Sequence, residues 1–190
     1  MTVQHLKTVV WQSHDCTSLE YCSLFQGDSL SLEGTVIATL DEQSYSLSYS
    51  VLCDLAGRTV SVSVLLSSEG QENKLELEVD SEQRWWTDGK ELTALRGCTD
   101  IDLGITPATN TLPIRRLNLA EGEGAHVSAA WLRFPGLELQ PLAQRYTRLD
   151  QTTYLYESHS ETNSGGYKSQ LEVDEHSLVA NYANGWARLT

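Results

Sequence analysis

His14, Asp15 and Cys16 set an imidazole, a carboxylate and a thiol side by side, the groups that make a Cys–His nucleophile. Partners in such sites meet through folding rather than along the chain, and a thiolate needs electropositive surroundings that an acidic protein does not favour. The residues therefore read as a loop in which His14 and Asp15 bond backbone groups and Cys16 packs inward. Asp100 and Asp102 form a D-x-D pair, which clamps a metal only when both carboxylates point one way and further ligands converge. Their neighbours supply none, and two short Asp side chains ahead of Gly104 suit backbone N–H bonds in an irregular loop. No metal and no cofactor are expected. Arg115 and Arg116 offer guanidinium forks to the carboxylate or phosphate of a ligand, but an internal salt bridge to Asp100, Asp102 or a Glu is the stronger expectation. Neighbours on a strand diverge, so one of the two arginines should face solvent. G-x-S-x-G, H-E-x-x-H, the P-loop and G-x-G-x-x-G are all missing, which removes the common hydrolase, protease and nucleotide signatures.

Five Trp and eight Tyr accompany only two Phe, so nearly every aromatic carries a polar handle. Such side chains suit a surface with one wet and one apolar side, and they also fill strands simply by β-propensity. Trp85 and Trp86 face opposite sides of one strand, so at most one of them lines any given cavity.

The elements that must position these groups are strands. In residues 46–51, 60–64 and 75–80 apolar residues fall on alternate positions, setting Leu47, Tyr49 and Val51, then Val60, Val62 and Val64, then Leu75, Leu77 and Val79 on one face. Residues 54–58 and 67–73 are polar hairpin loops that each carry a Gly for positive φ. The Asp88-Gly89 turn and further strands near 34–40, 126–134, 144–149, 152–157, 167–174, 178–182 and 186–189 raise the count to at least ten. No sustained helical period appears beyond a single turn at 106–111, and Pro107 and Pro113 exclude a regular helix there. The word Leu-Glu-Val-Asp at 77–80 returns at 171–174, a faint echo between the two halves of the chain. Residues 97–119 break the alternation without being low in complexity or highly charged, so they should be ordered and packed.

The 190 residues fit one domain, 1–190, long enough to bury a core without disulfides or metal. A net charge of −13, with no basic block beyond Arg115-Arg116, disfavours nucleic acid and anionic membrane surfaces. No run of 18 apolar residues spans a membrane, and the first 30 residues carry His14, Asp15, Glu20 and Asp28 where an export signal would be apolar. A cytoplasmic location is expected, with Cys16, Cys22, Cys53 and Cys98 as buried, unlinked thiols.

Three words carry a resemblance: Trp11 with HDCTSLEYCSL at 14–24, LRGCTDIDLGITPATNTLPIRRLNL at 95–119, and AAWLRFPGLELQPLAQRYTR at 129–148. With the second Leu-Glu-Val-Asp and its trailing Tyr and Trp, they resemble a bacterial domain family described as glycolipid-binding, over nearly the whole chain. The resemblance implies a curved antiparallel sheet forming an open or half-closed β-barrel, with little or no helix, similar to Lol-type lipoprotein carriers whose concave face accepts acyl chains. Those carriers are exported, whereas this chain shows no export signal. Alternation alone cannot say whether the inward faces meet as dry core or stay apart as a cavity. On this reading the protein is a non-enzymatic binder of a glycolipid or other amphipathic small molecule, as a monomer or homodimer. Acyl chains would lie on the apolar concave face, each methylene contributing roughly 0.8 kcal/mol. The ligand-contacting residues expected are Trp11, Tyr21, Tyr49, Trp86, Trp131 and Phe134, with Arg115 and Arg116 toward the sugar. A second reading is a hydrolase or other enzyme acting on a glycolipid or lipid ester, with Cys98, Cys16, His14 or Asp100 as candidates. A third is a protein–protein module pairing through an exposed strand edge.

Overall fold

The computed structural model describes residues 3–160, 163–183 and 185–190. Among them the chain forms β1 (Gln4–Ser13), β2 (Ser18–Gln26), β3 (Leu30–Leu40), β4 (Gln43–Cys53), β5 (Thr59–Ser68), β6 (Gln71–Val79), β7 (Trp85–Thr87) and β8 (Lys90–Glu91). Then follow β9 (Asp100–Leu103), a 3₁₀ turn (Ala108–Asn110), α1 (Thr111–Leu117), β10 (Gly124–Leu132), β11 (Leu139–Arg148), β12 (Thr153–Ser160), β13 (Asn163–Val173), β14 (Val179–Tyr182) and β15 (Trp186–Arg188).

All the strands join one sheet, in the order β8-β7-β6-β5-β4-β3-β2-β1-β15-β14-β13-β12-β11-β10-β9. Each neighbour along most of the chain is a hairpin neighbour, as the alternating words and short polar loops require. The two chain-terminal strands meet in the middle, where Trp11 pairs with Arg188 and Ser13 with Trp186. The ends of the order, β8 and β9, do not pair with each other, so the barrel stays open. Across the gap the Thr59 N–H donates to the Thr99 carbonyl at 3.0 Å, and the Ile101 N–H to Thr59 Oγ1 at 3.0 Å. One pairing departs from the antiparallel expectation: β9 runs parallel to β10, with Asp100 opposite Ala129. Parallel neighbours need a long crossover, and residues 104–123 supply it.

Leu47, Tyr49, Val51, Val62, Val64, Leu77 and Val79 all face the core. Val60 does not follow them inward. The ladder shifts between Leu52 and Cys53, and the resulting bulge gives the inward place to Thr59, whose hydroxyl is the one bridging to β9. Gly57 and Gly70 adopt positive φ in their loops, as read from the sequence.

At one end of the barrel the same five-residue turn occurs three times. Oδ1 of Asp54, Asp80 and Asp174 accepts the N–H groups two and four residues later at 2.9–3.0 Å. The fourth residue has positive φ each time: Gly57, Gln83 and Ser177. An arginine then closes on Oδ2: Arg58, Arg84, and from β15 Arg188. Because Asp54 lacks the Leu-Glu-Val prefix, the demand of this turn accounts for the shared Asp of the two Leu-Glu-Val-Asp words.

The word that broke the alternation fills the barrel. Residues 104–117 leave the end of β9, where the Gly104 N–H bonds the Leu132 carbonyl, and descend through the interior. They finish where Arg115 reaches Gln26 and His176 at the opposite end. Ala108, Thr109, Thr111, Leu112 and Ile114 are buried along the way. The helix that Pro107 and Pro113 were expected to exclude is present as the seven residues of α1. Pro113 is its third residue, inside the first turn, where backbone N–H groups lack intrahelical acceptors in any case. Asn118 ends the helix in the left-handed conformation, its N–H on the Ile114 carbonyl. Trp11 and Trp85 pin the plugged barrel from either side, their indole N–H groups on the carbonyls of Val179 (2.7 Å) and Cys98 (2.9 Å).

Candidate functional site

Where the plug enters, Gly104 lies against the Trp131 indole, and a Cβ there would come 2.6 Å from Trp131 Nε1. Only glycine permits that approach. Two residues on, the Thr106 hydroxyl lies 2.7 and 2.6 Å from the two Glu20 carboxyl oxygens and accepts the Ala108 N–H. Glu20 comes from β2 and is fully buried; the Tyr49 hydroxyl donates to its Oε1 at 2.6 Å. Tyr49 gets there by lying across Gly34 on the neighbouring strand, where any side chain would strike its ring. Loss of water drives the Glu20 carboxyl up to about 8, against the lowering effect of the two hydroxyls, so near neutral pH it is an uncharged acid. Further down, Asn110 Oδ1 accepts the Tyr146 hydroxyl at 2.8 Å.

Between this clamped segment and β10 to β15 a cavity of about 610 Å³ remains, opening at the end where the plug enters. Its polar centre is Asp102, whose Oδ2 accepts Gln144 Nε2 at 2.6 Å; the same nitrogen donates to the Tyr156 hydroxyl at 3.0 Å. Protein encloses this carboxyl so closely that lost hydration raises it to about 6, although Gln144 works the other way and the cavity still touches it. Asn110 and Ser158 add hydrogen-bonding groups to the wall. The apolar surface is aromatic. The Tyr156 ring centre is 5.2 Å from that of Tyr146, 6.0 Å from Tyr167 and 6.5 Å from Tyr182, and the last two stack at 11°. Trp186 closes another side, and the Arg133 guanidinium lies over the Trp131 ring at 5.5 Å.

Of the residues expected to contact a ligand, Trp131 lines this cavity. Tyr49 supports its wall through Glu20 and Thr106. Trp11 is buried in the core. Tyr21 is 56% exposed on the outer face, and Trp86 lies half-buried on the face opposite the buried Trp85. Phe134 packs edge-on against Tyr45 with ring centres 5.0 Å apart. Arg115 and Arg116 line a second, smaller pocket of about 270 Å³ at the far end. Arg116 forms the expected internal salt bridge, to Asp100, while Arg115 donates to the His176 carbonyl at 2.9 Å. They lie on a helix rather than a strand, and neither side chain is given over to solvent.

Asp15 accepts the Ser13 hydroxyl and the Thr17 N–H, as a loop aspartate should, but Cys16 is exposed rather than packed inward. It occupies the left-handed position of the turn, φ 61°, which points it away from the core. Cys22, Cys53 and Cys98 are buried and unlinked. Among the described residues no three His, Cys, Asp or Glu side chains are placed to hold a metal. No helix among them is long and apolar enough to cross a membrane. Sequence reasoning passed over Asp102 as a cavity group and missed Gln144, Tyr156, Tyr167, Tyr182 and Trp186. The excess of Tyr and Trp, five of the thirteen on β12 to β15, was the signal that could have found the aromatic ones.

The family described as "Putative glycolipid-binding" matches residues 8–188. No curated protein matches the chain. Among solved structures, a DUF1089 family protein from Pseudomonas aeruginosa is 36% identical, with a TM-score of 0.78 over 87% of this chain and 89% of that one. A β-barrel-like protein of the domain of unknown function DUF1849 from Brucella abortus is 7% identical. It reaches a TM-score of 0.56 over 98% of this chain and 93% of that one, a likeness of fold alone.

Proposed function

The chain belongs to the glycolipid-binding family matched over residues 8–188, and on that premise we propose that it binds a glycolipid without chemistry, headgroup in the 610 Å³ cavity. The observation that carries this reading is the lining. Ring faces of Trp131, Tyr182 and Trp186 suit the apolar faces of a sugar, while Asp102, Asn110 and Ser158 suit its hydroxyls. The acyl chain leaves through the mouth, where the exposed lining residues Gly104, Arg133 and Tyr167 lie. Seating it instead on the concave face of β1 to β5 would require displacing side chains such as Val9, Leu24, Leu32 and Val64, which are wholly buried. The cytoplasm is the setting we propose, supported by four free cysteines.

Two alternatives find less support. None of Cys98, Cys16, His14 and Asp100 lines the cavity. Burial raises the Cys98 thiol, the reverse of activation, and Asp100 is engaged by Arg116 and Thr99. A module pairing through a strand edge would need a long one, whereas β8 offers Lys90 and Glu91 alone.

The test is titration with octyl glucoside, followed by native mass spectrometry and tryptophan fluorescence. Saturable one-to-one uptake is expected, lost in Trp131→Ala while circular dichroism stays unchanged. Uptake that survives Trp131→Ala, or none at all, defeats the proposal.

A further inference from the structure

Asp102 has Gln144 as its hydrogen-bond partner and no Lys, Arg or His within 4.0 Å among the described residues. The cations around it are already committed. Arg116 is bound to Asp100 two residues away, and Arg133, itself on the cavity wall, lies over the Trp131 ring at 5.5 Å without forming an ion pair to Asp102. An enclosed carboxylate with one neutral donor lacks a counter-charge. Tyrosine rings share the cavity wall with it: Tyr156, whose hydroxyl shares Gln144 with Asp102, and the stacked pair Tyr167 and Tyr182. Tyrosine faces are negative and attract a cation within about 6 Å of the ring centre. A carboxylate bordered by such rings is the arrangement that takes an ammonium group, and a chain of net charge −13 draws cations toward itself.

We infer that the headgroup this cavity selects carries a positively charged nitrogen, an amino sugar in the first instance, with the ammonium on Asp102 and against the Tyr156, Tyr167 and Tyr182 rings. The inference rests on the headgroup reading above and adds the chemical class. The titratable and charged groups facing Asp102 are Asp100 on β9, Arg133 after β10, Tyr146 on β11, Tyr156 on β12, Tyr167 on β13 and Tyr182 on β14, with Glu20 behind Thr106. Burial raises the Tyr146, Tyr156 and Tyr182 hydroxyls, so they stay neutral. Asp100 is paired with Arg116, and Glu20 is an uncharged acid near neutral pH. Asp102, raised to about 6, is then the carboxyl on the cavity wall that changes charge between pH 5 and 7.

The experiment compares octyl glucoside with its 2-amino-2-deoxy analogue by calorimetry at pH 7 and pH 5, on wild type and Asp102→Asn. At pH 7 the amine should bind roughly tenfold or more tightly, from one charge-assisted hydrogen bond and one cation–π contact. At pH 5, where about a tenth of Asp102 is ionised, most of that preference should disappear although the amine is fully charged. In Asp102→Asn the ratio of the two affinities should fall several-fold, to the small preference the tyrosine rings alone supply. Equal binding of both probes by wild type at pH 7, or a preference that persists undiminished at pH 5 or in Asp102→Asn, overturns the inference and leaves the headgroup reading standing. Binding of neither probe removes both. The pH comparison needs only the wild-type protein, so a variant that fails to fold does not rescue the idea.

Discussion

Replacing Glu20 by Gln should make the protein less sensitive to rising pH, and the size of the effect follows from its burial. Folding moves this carboxyl from an ordinary 4.5 up to about 8, because desolvation outweighs the hydroxyls of Thr106 and Tyr49. A carboxyl whose folded value is raised is protonated in the native state while the unfolded chain has already released its proton. The contribution of Glu20 to stability is therefore fully present below pH 4.5 and is lost as pH climbs toward 8. Each pH unit across that window costs about 1.4 kcal/mol, so the loss is roughly 3 kcal/mol at pH 7 and 4–5 kcal/mol at pH 8. An amide cannot ionise, yet its oxygen still accepts from Tyr49 and its NH₂ can donate to Thr106 Oγ1. Urea unfolding at pH 5, 6, 7 and 8 should find the two proteins within about 1 kcal/mol at pH 5 and the variant ahead by roughly 3–5 kcal/mol at pH 8. Asp102 and Asp100 are raised as well and tilt both curves equally, so the difference isolates Glu20. Parallel curves, or a wild type that gains on the variant as pH rises, would refute the reasoning.

Asp100→Asn should strand the Arg116 guanidinium beside a carboxyl site that is 1% exposed, at a cost of roughly 3–5 kcal/mol. Thermal unfolding should show this, and Asp100→Asn with Arg116→Met should lose less than the two single changes together. A thiol reagent added to native protein should consume one equivalent quickly at exposed Cys16 and three more only on unfolding; fast loss of two or more would contradict the burial of Cys22, Cys53 and Cys98.

The strands were readable because a half-buried strand writes its inward face at every second residue, as Leu47, Tyr49 and Val51 do. The resemblance supplied the curvature that alternation could not. The site was largely hidden, for identifiable reasons. On β2 the apolar letters Leu19 and Tyr21 suggest one phase, but that face is exposed and the opposite phase carries Glu20, Cys22 and Leu24 inward. A fully buried acid balanced by Thr106, 86 residues away, leaves no local pattern. Pro113 looked like a helix breaker because the start of α1, which makes a proline in the first turn harmless, is set by tertiary burial of Leu112 and Ile114. The individuality of residues 97–119 was visible in the letters; that it makes a plug was not, since filling a barrel is a property of the strands around it.

The pairing of β1 with β15 also governs the order in which the protein can be made. During synthesis β1 to β8 can form a meander as they emerge, but the edge of β1 away from β2 stays without a ladder partner until β15 arrives, and in the sheet β9 to β14 connect to β1 through Trp186, Ala187 and Arg188. The nascent chain thus carries an unsealed edge in the middle of its eventual sheet until residues 186–188 have left the ribosome. Loss of residues 186–188 would break the ladder between the two half-sheets and deprive the cavity-forming half of its neighbour in the sheet.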